Sequence, residues 1–285
     1  MYREPYNTIA HKLRGKLFFG SLNRVDLIII GAQKCGTTAL FEFLTTHPKL
    51  IGSKQKEINF FNNDKKYIKG IDFYHGFFPK RKNGLIYFEA SPSYLQDNNC
   101  ISCERIYEYN SKIKMIIMLR NPIERAFSAY NMYCKKWRLN EYWFDSWKIP
   151  NRQYIQRDYK DYSSFNYFIK HELDAINDHN SIEAPIISSG KYIDSIEKYY
   201  NKFGSEQFHF IENSRLLSQT HYELNKVIDF LDIEEKINWN FPSGMKIFEG
   251  NYENGIDKET YQILSSFYKP YNTKLFNLLN MEYEW

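Results

Sequence analysis

The sequence is poor in several features that would place a protein quickly. Its 285 residues include only four cysteines, Cys35, Cys100, Cys103 and Cys134, too few and too scattered for a disulfide framework. Cys100-Ile-Ser-Cys103 is a lone CxxC with no second pair and no histidine nearby. A zinc site normally takes four ligands, so no metal is expected, and the plainer reading is two small residues flanking a helix start. The longest apolar run, Leu27 to Ala32, is far shorter than the roughly 20 residues that cross a bilayer. The start of the chain carries Arg3, Glu4, Lys12, Arg14 and Lys16 instead of a signal-type apolar stretch. A cytoplasmic protein without a membrane span is therefore expected. No Pro/Gly/Ser-rich linker, repeat or low-complexity tract divides the chain. It reads as one domain over 1–285, with 1–23 as an N-terminal extension. No sign of charge dominates: 38 basic residues against 34 acidic ones leave +4. That balance gives no footprint for nucleic acid but allows a local basic pocket for an anion. Nothing in the sequence sets an oligomeric state.

Aromatic residues are abundant, with 24 Tyr and 22 Phe, enough for a sizeable core and for pockets that want an apolar ring with a polar tip. Val25 to Ile30, Leu85 to Phe88, Lys114 to Leu119 and Phe208 to Ile211 read as short buried strands. Between and after them, helices are expected over Thr37 to Thr46, Ile101 to Tyr109, Asn121-Pro122 to about Trp137, Lys191 to Phe203, Tyr222 to Leu231 and Lys258 to Leu279. His47-Pro48 ends the first helix, because the residue before proline avoids the helical region. Residues 138–165 are rich in Trp, Tyr and Arg without clean periodicity, and read as an insertion or lid. Alternation of buried strands with helices predicts an α/β protein, a parallel sheet covered by helices on both faces. Ligands of such sheets bind beyond the C-terminal strand ends, which directs attention to the turns after Ile30 and Leu119.

The first turn reads Gly31-Ala-Gln-Lys34-Cys35-Gly36-Thr37-Thr38. Two glycines permit a tight path, the helix start offers free N–H groups and its dipole, Thr37 and Thr38 add hydroxyls, and Lys34 adds a full charge: an anion site. It is like a P-loop without being one. The triphosphatase pattern is GxxxxGK[ST], whereas here Thr37 stands in the lysine's place and Lys34 lies two residues before Gly36. Cys35, inside so positive a loop, is expected to have a lowered thiol pKa. The alternative is an ordinary strand-helix turn. The second turn, Arg120-Asn121-Pro122-Ile-Glu-Arg125-Ala-Phe-Ser128, places an arginine at a strand end and a serine about two turns into the next helix. A guanidinium fork and a hydroxyl together suit one phosphate. A strand-end salt bridge is the alternative for Arg120; Arg125 reads as a structural or surface charge.

These turns resemble the two motifs with which sulfotransferases bind 3′-phosphoadenosine 5′-phosphosulfate (PAPS). Further stretches extend the resemblance from about Val25 to Trp285: Lys56-Glu57-Ile58-Asn59-Phe60-Phe61, Phe88-Glu89-Ala90-Ser91-Pro92-Ser93-Tyr94, Ser189-Gly190-Lys191-Tyr192, and Phe267-Tyr268-Lys-Pro270-Tyr271-Asn272. They are similar to segments of the heparan-sulfate-type and bacterial branch. The resemblance implies that Lys34, Cys35, Gly36, Thr37 and Thr38 hold the 5′-phosphosulfate and that Arg120 and Ser128 hold the 3′-phosphate. It also implies that Lys246, in the loop Gly244 to Gly250, adds a phosphate contact; an exposed loop lysine is the plainer reading. Asn59 and Ala90 stand where heparan-sulfate enzymes of animals have His and Lys, a departure on the acceptor side only.

The implied reaction is metal-free transfer of a sulfuryl group to a hydroxyl or amine of an acceptor, with 3′-phosphoadenosine 5′-phosphate (PAP) as the product. Lys34 would steady the charge on the leaving oxygen and Glu57 would take the acceptor's proton; the alternative for Glu57 is an ion pair with a neighbouring lysine. The acceptor is expected to be a small molecule, a lipid or a glycan, with Trp137, Trp143, Trp147 and Tyr154 as stacking candidates that read equally well as core. Two other readings stay open at this stage. A small-molecule P-loop kinase would show GK[ST] and metal-binding acids, and the first is missing. A non-catalytic nucleotide-binding protein would have lost Lys34 or Arg120, and both are present.

Overall fold

The computed structural model describes residues 24–97, 100–139, 153–242 and 255–285. Lys246 and its loop, Trp143, Trp147 and the extension 1–23 lie outside them.

Five strands form one sheet: β1 (Leu27–Gly31), β2 (Leu50–Gly52), β3 (Ile86–Ala90), β4 (Lys114–Leu119) and β5 (Phe208–Glu212), in the order β2-β3-β1-β4-β5 with every pairing parallel. The apolar, β-branched run of β1 is buried along its whole length, as a central strand covered on both faces must be. Helix α1 (Thr37–Thr45) follows β1 and buries Leu40, Phe41, Phe43 and Leu44. His47 ends it and is itself buried, its Nε2 3.0 Å from the Glu235 carbonyl.

Helix α2 (Asp64–Tyr67) and helix α3 (Ile71–His75) precede β3; α4 (Ile101–Tyr109) links β3 to β4; α5 (Pro122–Arg138) leaves β4 with Pro122 in its first turn. Then come α6 (Tyr159–Ser163), α7 (Phe165–Asn177) and α8 (Tyr192–Lys202), followed after β5 by α9 (Asn213–Ser218), α10 (Thr220–Phe230) and α11 (Lys258–Leu279). The expected strands and helices are present with ends shifted by at most a few residues. The short β2, α2, α3, α6 and α9, and the longer α7, were not legible. β2 has only three residues, too few for any period to register, and exists because β3 offers it a partner. α7 follows the aperiodic aromatic stretch and starts at Ser164, whose hydroxyl accepts from Tyr167 N, a serine cap of the usual kind.

Beside the sheet's core lies a second apolar cluster, in which α5, α7, Ile186, Ile187 and Tyr268 of α11 pack together. A buried ion group holds it. Arg157 lies over the Phe168 ring and meets Glu172 at 3.3 Å and Asp161 at 3.4 Å. Glu172, fully buried, also accepts the backbone N–H of Ile186, Ile187 and Ser188. Of the stretch read as an insertion or lid, Arg157, Asp161 and Phe165 are therefore built into this packing, and Trp137 stacks on Tyr162 with centroids 4.9 Å apart.

His209 on β5 stacks on Phe230, and its Nε2 is buried with no hydrogen-bond partner among the described residues. Burial, helped by Lys226, pulls its pKa from 6.5 to about 4. A depressed folded-state value means that the unfolded chain binds the proton first. The neutral ring's contribution is then complete above pH 6.5 and is lost as the pH falls through about 4, up to about 3 kcal/mol. Urea unfolding of wild type and His209→Gln at pH 7 and pH 5 should give a smaller drop for the variant; equal drops would contradict this.

Candidate functional site

The C-terminal ends of β3, β1 and β4 lie side by side, so three turns rise together from one sheet edge. The middle turn carries Lys34 at φ 69° and Gly36 at φ 91°. Gly36 is obligatory on two counts: the left-handed φ, and a Cβ there would stand 2.5 Å from Asn213 Nδ2, which donates to the Cys35 carbonyl. Gly36 is also the cap position of α1 and supplies no side-chain acceptor, so the first-turn N–H groups of Thr37 and Thr38 have no intrahelical partner. Thr37 is buried and Thr38 half-buried. Burial, then the nearby Arg120 and Arg125, lower the Lys34 pKa, while Glu57 and Cys35 oppose the shift. Lys34 thus lies within electrostatic reach of Glu57, Arg120 and Arg125, which come from other turns.

Cys35 departs from expectation. It is fully buried, its Sγ lies 3.4 Å from Tyr192 Oη, and burial raises its thiol pKa despite the neighbouring arginines. The positive loop alone predicted the opposite, because the sequence did not reveal that the side chain turns inward. Cys100 does flank a helix start, capping α4 at φ 55°. Its half-buried thiol is lowered first by a hydrogen bond with Cys103, whose own value rises.

Arg120 ends β4 as predicted. Its Nε and Nη2 both meet Glu124 Oε2 at 3.1 Å, an exposed i,i+4 pair. Ser128 follows one turn later on α5 and is buried, so Arg120, Glu124 and Ser128 stand at four-residue spacing. Arg125 is not a surface charge: it is fully buried, with Nη2 donating to the Ile186 carbonyl while Nε and Nη1 have no partner among the described residues. Glu57 is half-exposed at φ 60°, and the ion pair that its neighbourhood allowed is present, to Lys56 Nζ at 2.8 Å. Its N–H donates to Ala90 O at 2.9 Å. Asn59 accepts from Ser93 Oγ at 2.6 Å.

The resemblance touched Tyr192 only as part of a segment; geometry gives it a task. Its hydroxyl donates to the Arg120 carbonyl at 2.8 Å and contacts Cys35 Sγ, tying the two anion turns together. Gly190 before it leaves room for Tyr268, whose Oη would be 2.6 Å from an added Cβ. Glu124 was missed although it lies in the second turn at i,i+4 spacing from Arg120, a local pairing that the sequence allowed; Asn213 lies in no motif, and only folding sets it against the Cys35 carbonyl.

A half-buried lysine, an arginine at the next strand end and an uncapped helix start at the same sheet edge make a candidate anion site on an α/β scaffold. Residues 24–252 match the Sulfotransferase domain family, and the chain belongs to it. It is 29% identical over 280 residues to heparan sulfate glucosamine 3-O-sulfotransferase 5 of Mus musculus, covering 90% of this chain and 73% of that protein. It is 24% identical over 319 residues to the membrane-associated sulfotransferase kil1 of Dictyostelium discoideum, covering 91% and 66% respectively. A sulfotransferase from Alicyclobacillus acidocaldarius shares the fold with a TM-score of 0.65 at 22% identity, over 91% of this chain and 97% of that one. Among the described residues no helix is long and apolar enough to cross a membrane.

In the folded protein, iodoacetamide should modify Cys100 well before Cys35, Cys103 or Cys134, which are buried. Peptide mass spectrometry after timed labelling checks this; labelling of Cys35 as fast as Cys100 would refute the inward placement.

Proposed function

We propose that this sulfotransferase takes its sulfuryl group from PAPS and passes it to a hydroxyl or amine of a glycan. The observation that carries the reading is the convergence of Lys34 and Arg120, from the separate turns after β1 and β4, on one sheet edge, close enough for Arg120 to help lower the Lys34 pKa. Its fit to a polyanion rests on the chain's own groups. Lys34 and the helix-start amides take the 5′-phosphosulfate end, and Arg120 with Ser128 takes the 3′-phosphate. Clustering cations with so little compensation is costly without an anion. The glycan class is favoured by the heparan sulfate relatives named above.

In the proposed step the acceptor oxygen bonds to sulfur, the bond from sulfur to the bridging phosphate oxygen breaks, and PAP leaves with that electron pair. Glu57 takes the proton released by the acceptor. Lys34 holds the negative charge that grows on the bridging oxygen, in a partly water-free site where such a contact is strongest. Before it can act, Glu57 must exchange Lys56 for the acceptor; an exposed pair of this kind is worth only about 0.2–1 kcal/mol.

Sulfated-product assays with ³⁵S-PAPS and heparan sulfate test the reading. Glu57→Gln keeps the shape and removes the basicity, so kcat should fall about 10²–10⁴-fold with PAP affinity unchanged, whereas Lys34→Ala should weaken both. Full turnover by Glu57→Gln would remove Glu57 as the base. Transfer of phosphate from ATP, dependent on Mg²⁺, would instead favour a kinase.

Glu124 competes with the 3′-phosphate for Arg120. Its exposed ion pair is worth about 0.2–1 kcal/mol, so Glu124→Gln should tighten PAP binding up to about fivefold at low salt, with a smaller gain as screening increases. Calorimetric titration at two salt concentrations measures it; weaker binding by the variant would mean that Glu124 supports the site.

A further inference from the structure

Glu89, at the end of β3, is fully buried yet surrounded by donors. Its Oε1 accepts the hydroxyls of Tyr74 at 2.8 Å and Tyr94 at 3.0 Å, and its Oε2 accepts Ser91 at 2.7 Å. Two of these hydroxyls pass the contact on. Tyr94 Oη accepts the backbone N–H of Phe60 at 2.9 Å and of Phe61 at 3.4 Å, and Ser91 Oγ accepts that of Asn59 at 3.1 Å. Lys66 Nζ donates to the Ile58 carbonyl, and the Glu57 N–H donates to Ala90 O at 2.9 Å. The segment 57–61 thus hangs, bond by bond, from the segment 89–94. It needs such support, because Glu57 at φ 60° and Asn59 at φ 51° occupy the left-handed region that residues with a side chain rarely adopt.

We propose that Glu89 is a positioning residue for Glu57, acting through the hydroxyls of Ser91 and Tyr94 on the backbone that presents the base. This rests on the reading of Glu57 as the proton acceptor. An ionised carboxylate only accepts hydrogen bonds. Each hydroxyl must therefore spend its one hydrogen on Glu89, which leaves its lone pairs facing the N–H groups of Asn59, Phe60 and Phe61. The carboxylate sets the direction of every bond in the relay. Burial raises the Glu89 pKa, and the three hydroxyls and Lys66 oppose that shift by favouring the charged form. A glutamine in the same place has one donating end. It must point that end at a hydroxyl oxygen, so at least one hydroxyl loses its acceptor and turns away from its amide.

Glu89→Gln tests this with readouts that a merely structural role would not move together. Deuterium exchange of peptides covering 57–61 should quicken by about tenfold, the worth of one hydrogen bond. PAP affinity by calorimetry should be unchanged. With PAPS and heparan sulfate, kcat should fall by about 10²-fold, as misplacing a reacting group by an ångström does. Adding Glu57→Gln to Glu89→Gln should cost little more than either alone, because the two act on one step. Unchanged exchange over 57–61, or losses that multiply in the double variant, would overturn the proposal. If Glu57→Gln keeps full turnover while Glu89→Gln still quickens exchange over 57–61, the base assignment fails and the anchoring role stands. Should Glu89→Gln not fold, Tyr94→Phe and Ser91→Ala cut the relay singly: the first should deprotect Phe60 and Phe61, the second Asn59. Retained protection in both would refute the relay.

Discussion

The parallel pairing of β1 with β3 on one side and β4 on the other is the constraint on which the site depends. Leu27 pairs with Phe88 and Lys114, and Ile29 with Ala90 and Ile116. Because all three strands run the same way, their outgoing turns must emerge at one edge. The turn carrying Lys34 and Gly36 comes from β1, Glu89 and its hydroxyl partners from β3 and the segment after it, and Arg120 from β4. An apolar core of completely buried strands is what makes that register rigid: a one-residue slip would turn each strand's side chains to the opposite face.

That edge gathers more positive charge than it neutralises. Lys34 lies within reach of the Arg120 and Arg125 charges, and the nearby carboxylates Glu57 and Glu124 are exposed, each in an ion pair with one cation among the described residues. Arg125 is the extreme case, buried with two guanidinium nitrogens unpartnered among the described residues. A buried cation with few acceptors is costly, and under the proposed function a polyanionic donor would offset part of that cost. The same desolvation that lowers the Lys34 pKa makes its contact with a bound anion stronger than it would be in water.

The second apolar cluster supports this charge from below. Arg157 and Glu172 hold the backbone of Ile186 to Ser188, the Ile186 carbonyl receives Arg125, and the Ile187 carbonyl receives Tyr268 at 3.0 Å. Tyr268 fills the space beside Gly190, and Tyr192 begins α8 just beyond, where it bonds to the Arg120 carbonyl. A fully hydrogen-bonded buried ion group of this type is sensitive to the loss of any one member. It gives the donor turns a stiff floor, although Arg157 and Glu172 belong to neither turn.

Much of this was legible in the residues. Uninterrupted apolar runs identified β1 and β4 and their burial; Gly36 and Lys34 marked the turn between β1 and its helix; Arg120 marked the end of β4; and the order of the motifs pointed to the family to which the chain belongs. These signals are local: they rest on periodicity, on the left-handed backbone that glycine permits, and on charge at a strand end, all of which neighbouring residues determine. What tertiary structure decided is long-range. That Cys35 points inward and is raised rather than lowered, that Arg125 is buried, and that Glu89 reaches Asn59, Phe60 and Phe61 through two hydroxyls all depend on which segments meet in space. Burial and hydrogen-bond direction are properties of those meetings. A linear sequence carries the charges, but only the packed chain sets the desolvation that gives each of them its strength.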